Sequence, residues 1–118
     1  MSSGNAILEK SMLFAIRIVK MYQYLSKEKK ETVMSKQLLK SGTSIGANIR
    51  EATQGQSKKD FIAKMSISLK EACESEYWIE LLYRTDYLTA EQYESMNSDC
   101  SDIAKMLTSI VKSSKSGK

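Results

Sequence analysis

No proline occurs anywhere in this chain of 118 residues, and glycine occurs only five times. Proline is the residue least tolerated inside a helix, because it lacks the amide hydrogen and collides with the preceding turn. A chain without it is free to run long helices. Its apolar residues bear this out by recurring at three- and four-residue intervals. Leu8, Met12, Ala15, Val19 and Tyr22 make one such stripe, and Phe14, Ile18, Met21 and Leu25 make a second about 100° around the same axis. Together they cover roughly half the circumference, more than a peripheral bundle helix needs for its own core. One stripe should face the bundle and the other a second subunit.

The same spacing predicts four helices, over residues 6–26, 29–54, 58–86 and 90–113, in a single domain spanning 1–118 with a frayed Ser/Lys-rich tail at 114–118. Asn5 is placed to cap the first, and Gly55 to end the second. Ser57-Lys58-Lys59-Asp60 and Thr89-Ala90-Glu91-Gln92 resemble capping boxes that open the third and fourth. Expected core positions are Met34, Leu38, Ile45, Ile49 and Ala52 in the second helix. In the third they are Phe61, Ile62, Met65, Leu69, Ala72, Cys73, Ile79, Leu82 and Tyr83. In the fourth they are Tyr93, Met96, Cys100, Ile103, Leu107, Ile110 and Val111. Short connections make neighbouring helices antiparallel, so the predicted fold is all-α, an up-down-up-down four-helix bundle.

Cys73 and Cys100 are the only cysteines, neither in a metal-ligand spacing, and there is no histidine. This argues against a zinc site and against any cofactor held by such ligands. Two free thiols, a start without a basic-then-apolar leader and no long apolar run point to the cytoplasm, with no membrane segment. The charge is lopsided. Through Lys59 there are 11 basic and 4 acidic residues, a balance of +7; from Asp60 onward there are 7 and 10, a balance of −3, together the chain's net +4. Such asymmetry points to an anionic partner for one face, or to pairing between halves or subunits.

The run from Ser41 to Ala52 is odd for a helix. Gly42 and Gly46 each cost about 1 kcal/mol relative to alanine in a helix interior. Small residues there let another helix approach closely, or open the backbone to a ligand. Beside the apolar stripe, Gln37, Ser41, Ser44, Asn48, Glu51 and Gly55 form a polar seam, and Asp60, Lys64, Ile67, Glu71, Glu74 and Trp78 form another on the third helix. Buried polar groups need partners, so the seams either pair across helices or subunits, or line a polar pocket or pore. On another side of the second helix Lys29, Lys36, Lys40, Thr43 and Arg50 make a basic stripe, joined by Lys27, Lys30, Lys58 and Lys59 from the helix ends. It is either a solvated lysine face or a track for a phosphate backbone. No basic–aromatic alternation for stacking single-stranded bases accompanies it.

The run Gln37-Leu38-Leu39-Lys40-Ser41-Gly42-Thr43-Ser44-Ile45-Gly46-Ala47-Asn48-Ile49-Arg50-Glu51-Ala52 resembles the signature of the bacterial 23S rRNA intervening-sequence proteins, also called the four-helix-bundle protein family. Ser57-Lys58-Lys59-Asp60-Phe61, Leu69-Lys70-Glu71-Ala72 and Glu76-Tyr77-Trp78-Ile79-Glu80-Leu81-Leu82 continue the pattern, from about Ser11 to Leu88. Many members have proline at the position of Gly46 and Glu-Gly in place of Glu51-Ala52; the form here resembles a subgroup. The resemblance implies an antiparallel four-helix bundle assembling as a homopentamer, with Gly42, Ser44, Ile45, Gly46, Asn48, Ile49, Glu51, Asp60, Glu71 and Trp78 as signature and assembly residues. A related branch serves as the accessory protein of diversity-generating retroelements, where a basic pentamer is thought to contact nucleic acid and a reverse transcriptase. The biochemical function of most members is unknown.

Three function classes follow. The first is a pentameric scaffold binding RNA or other nucleic acid through Lys29, Lys36, Lys40, Arg50, Lys58 and Lys59. The second is a protein–protein adaptor or accessory subunit for a nearby-encoded partner, using the apolar arc of the first helix with Tyr77 and Trp78. The third, an enzyme, is disfavoured. Asp60, Lys64, Glu71 and Glu74 are the only clustered polar candidates, and no Ser/His/Asp set, phosphate loop or Glu-x-x-His pair accompanies them.

Overall fold

Four helices alternate in direction along the chain: α1 (Ser2–Lys27), α2 (Val33–Thr53), α3 (Lys58–Arg84) and α4 (Ala90–Ser116). The computed structural model describes the backbone of residues 2–116 and the side chains from Ala6 onward. Connections of four to five residues leave no room for a crossover, so each helix folds back on its predecessor. α1 packs on α2, α2 on α3 and α3 on α4, while α4 closes only loosely on α1. The result is a rod of 49 × 20 × 20 Å.

One continuous core runs along the rod. α1 contributes Ile7, Phe14, Ile18 and Leu25; α2 contributes Leu38, Ile45, Ile49 and Ala52; α3 contributes Met65, Ala72, Ile79 and Leu82; α4 contributes Met96, Cys100, Ile103 and Leu107. The expected stripe of Phe14, Ile18, Met21 and Leu25 is therefore the inward one, with Met21 partly buried. In the other stripe Met12 is 44% and Val19 40% exposed, and beside them Leu13 is 53% and Ile16 45% exposed. Three positions read as core lie outside it: Ile62 is only half-buried, Cys73 is exposed, and Tyr83 sits at the rim, stacked on Tyr93 at 4.5 Å and 12°.

Helix ends follow from local chemistry, and three differ from expectation. α1 starts at Ser2, upstream of Asn5, so Asn5 is inside the helix and its capping side chain falls outside the described residues. α2 starts at Val33, not near Lys29. Lys30 adopts the left-handed conformation (φ 59°), which a helix does not accommodate. The Glu31 carboxylate, only 7% exposed, then accepts the amides of Val33 (3.0 Å), Met34 (2.8 Å) and Ser35 (2.8 Å). Those are amides that a helix start leaves without partners, and the negative charge also suits the positive helix end. α4 continues to Ser116, so residues 114–116 of the expected frayed tail are helical.

Both expected caps form, the second as a full reciprocal box. Ser57 Oγ accepts the Asp60 amide at 3.0 Å. Thr89 and Gln92 bond reciprocally, the Thr89 amide to Gln92 Oε1 at 2.9 Å and the Gln92 amide to Thr89 Oγ1 at 3.1 Å. Gly55 does follow α2, but not in the left-handed conformation usual for a glycine at a helix end. A Cβ there would meet the Asp60 carboxylate, the movable end of a side chain, and the Ala52 carbonyl oxygen at 3.2 Å.

Candidate nucleic-acid and assembly surface

The small residues of α2 are explained by packing. A Cβ on Gly42 would lie 2.8 Å from Ile18 Cγ1 and 3.1 Å from both Ile18 Cδ1 and Cγ2. On Gly46 it would lie 3.3 Å from Ser11 Oγ. Glycine at position 42 lets α2 lie close against α1, while Ile45 and Ile49 on the same helix are buried in the core. That decides for close helix approach at Gly42, whereas Gly46 touches α1 lightly and lines a groove between α1 and α2.

The polar seams divide into paired and open parts. Ser41 Oγ and Ser75 Oγ bond across the α2/α3 contact at 2.8 Å, and Ser68 Oγ donates to the Ile45 carbonyl at 2.8 Å. Ser68 and Ser75 were missed because serine reads as polar. Yet they occupy the 3,4,3,4,3 line Met65, Ser68, Ala72, Ser75, Ile79, Leu82, which marks the buried face of α3. Leaving either buried hydroxyl without a partner costs about 1–3 kcal/mol, so they fix the helix register as well as fill space.

Nearer the surface, Glu51 and Lys64 pair at 2.9 Å, and that bond, more than the Coulomb attraction accompanying it, raises the Lys64 pKa. The Asn48 amide donates to the Ser44 carbonyl at 2.9 Å, and Ser44 Oγ to the Lys40 carbonyl at 2.7 Å. Trp78 Nε1 donates to Glu74 at 3.1 Å, with Tyr77 set edge-on at 5.0 Å. Glu71 is half-buried, its carbonyl taking the Ser75 hydroxyl at 2.9 Å. Asp60, Lys64, Glu71 and Glu74 thus string out along α3 over about 21 Å at 1.5 Å per residue. They do not converge on a common point. Among the described residues no group of three or more His, Cys, Asp or Glu side chains is placed to hold a metal ion.

The basic stripe is an outward face. Lys36, Lys40, Thr43, Ala47 and Arg50 follow a 4,3,4,3 spacing, with all three cations exposed. Lys29 lies in the α1–α2 turn, and Lys58 and Lys59 open α3 at the opposite end of the rod. Lys29, Lys36, Lys40, Arg50 and Lys59 take part in no ion pair among the described residues. The acids nearest in sequence to Lys36, Lys40 and Arg50 are engaged, Glu31 at the α2 amides and Glu51 with Lys64.

Against this face, α1 and α2 enclose a groove of about 440 Å³. Leu8, Ser11, Met12 and Ala15 form one wall, and Thr43, Gly46, Ala47, Arg50, Glu51 and Gln54 the other. Its α1 rim continues into the exposed Met12, Ile16 and Val19. On the far side of α1, Arg17 clasps α4, reaching Asp99 at 2.6 Å and Ser95 Oγ at 2.8 Å. Nothing in the periodicity signalled that pair.

The thiols have opposite settings. Cys73 is exposed; Cys100 is buried and donates to the Ala72 carbonyl at 3.4 Å. Burial first, and then the Glu76 carboxylate, push the Cys100 pKa up to about 12, which leaves a protonated, unreactive thiol. Glu76 is itself raised by burial.

A solved structure with this fold aligns with a TM-score of 0.92 and 61% identity, covering 93% of this chain and 98% of its own. It is a protein of unknown function from the S23 ribosomal protein family of Bacteroides thetaiotaomicron. No functionally curated protein gives a significant match. The pattern of the 23S rRNA-intervening sequence proteins matches residues 4–109, the whole four-helix unit up to the last turns of α4. The chain belongs to the 23S rRNA-intervening sequence protein family.

Proposed function

We propose that this protein is a non-enzymatic, self-assembling bundle of the cytoplasm that binds nucleic acid on the outward face of α2. The observation carrying the proposal is the line Lys36, Lys40 and Arg50, exposed and without ion pairs, next to acids whose charges are already engaged. Cations held clear of internal partners are available to phosphates, whose neutralisation releases counterions. Self-assembly is supported by the exposed Met12, Leu13, Ile16 and Val19 of α1, an apolar arc of the kind that marks an interface. The family resemblance points to five copies. No helix among the described residues is long and apolar enough to cross a membrane.

The test is binding of RNA and DNA to the protein and to the K36E/K40E/R50E variant at low salt. The proposal expects salt-sensitive binding that the variant loses. No detectable binding of any nucleic acid at low salt would overturn it. A second reading, an adaptor for a protein partner, is favoured by Tyr77, 59% exposed beside the half-buried Trp78 on a different face, α3. Capture of a defined partner that Tyr77→Ala releases would support that reading.

A further inference from the structure

We infer that the ligand of the α2 face is the paired phosphate backbone of a double-stranded nucleic acid, held without base readout; this rests on the nucleic-acid reading above. Single-stranded nucleic acid is bound by combining cations with aromatic side chains on which bases stack, each stacked base contributing about 1–3 kcal/mol. Here the two are segregated. No aromatic residue occurs between Tyr24 and Phe61, the stretch that holds eight of the basic residues. The exposed aromatics Tyr77 and Tyr83 are both on α3, and Tyr83 is stacked on Tyr93 of α4. A single strand on α2 would meet charge and no platform.

A duplex needs no platform, since its bases are already stacked on one another. It also suits the spacing of the cations. α2 is an unbroken helix, so Lys36 and Arg50 stand about 21 Å apart on a straight line, a span of about six base pairs at 3.4 Å each. The other two side chains on that line, Thr43 and Ala47, both between Lys40 and Arg50, are short. They leave the surface between Lys40 and Arg50 low, so the cations at its two ends can reach phosphates of the two strands on either side of one groove, and with the cations on phosphates nothing else on the line is long enough to reach a base edge. The three side chains are ordered at the same cost by either ligand, but a flexible strand also loses its own conformational freedom on these contacts, which a duplex has already given up.

The experiment uses the full chain and fluorescence anisotropy. Mixed-sequence DNA and RNA duplexes, longer than the roughly 14 base pairs that a 49 Å rod spans, are compared with their separated strands. Binding of either duplex in preference to its strands is expected, and the DNA and RNA arms identify which duplex the face takes. For each copy engaged, three phosphate contacts give a log K against log salt slope of about −2.7, a loss of about forty-fold between about 50 and 200 mM salt. Scrambling the duplex sequence should leave affinity unchanged, and K36Q/K40Q/R50Q should abolish the binding. Strands bound as tightly as their duplex would overturn the inference while leaving the nucleic-acid reading standing, and so would a strong sequence preference. Absence of binding in every arm would remove both.

Discussion

Replacing Gly42 by alanine should destabilise the protein, although the same change stabilises most helices. Gly→Ala in a helix interior is worth about 1 kcal/mol in favour of alanine. Against that, the new Cβ would fall 2.8 Å from Ile18 Cγ1 and 3.1 Å from two further Ile18 carbons. Ile18 is fully buried and β-branched, so it has no free rotamer into which to retreat. Overpacking of this kind costs about 1–3 kcal/mol, giving a net loss of about 1 kcal/mol. Gly46 supplies the internal contrast. Its added Cβ would meet a single Ser11 hydroxyl at 3.3 Å, in a half-buried position beside the groove. That hydroxyl can yield by a few tenths of an ångström, so Gly46→Ala should be neutral or stabilising by up to about 1 kcal/mol.

Urea unfolding followed by helical circular dichroism measures both, as a lowered midpoint for Gly42→Ala and an unchanged or raised one for Gly46→Ala, at unchanged m-value. Adding Ile18→Ala to Gly42→Ala removes the colliding atoms, so the double variant should lose less than the sum of the single losses. Stabilisation of both glycine variants by similar amounts would refute the reasoning. The small residues of α2 would then owe their presence to something other than close approach of α1.

Glu31→Gln keeps the shape of the α2 cap but removes its charge and one of its acceptor oxygens, so unfolding stability should fall by about 1–2 kcal/mol in the same urea assay. The folded Cys100 thiol, raised from about 9 to about 12, is protonated over a range where the unfolded thiol ionises. Its contribution to stability is complete below pH 9 and is lost as the pH rises toward 12, a loss that Cys100→Ala should remove from the alkaline unfolding profile. Maleimide should label Cys73 in the native protein and Cys100 only on unfolding; equal rates would contradict the placement of the two thiols. Ile16→Glu with Val19→Glu should leave helical content unchanged and split the assembly into single chains, read by light scattering.

Helical periodicity made the four elements and their antiparallel order legible, because a proline-free chain with short connections has few other ways to bury its stripes. It left the rotation of α1 open. Two apolar stripes of comparable width sit on that helix, and spacing alone does not say which is inward; Gly42 against Ile18 is the contact that chooses. The start of α2 was illegible for a chemical reason. Lys29, Lys30 and Glu31 are good helix formers, yet Glu31 satisfies more amides as an external cap than it would from within the helix. Ser68 and Ser75 were hidden because burial of a serine depends on a partner in another helix, which no single-chain pattern records. The exposed line of Lys36, Lys40 and Arg50 was readable throughout, since surface cations at heptad spacing need no tertiary context to be found.

The most direct test of the central claim, that function belongs to an assembled surface, is the native mass of the purified protein before and after nuclease treatment. The account predicts a mass several times the 13.3 kDa of one chain, five-fold if the family resemblance holds, with bound nucleic acid lost on digestion and the protein assembly left intact. A mass of one chain, unchanged by nuclease and free of nucleic acid, would contradict it.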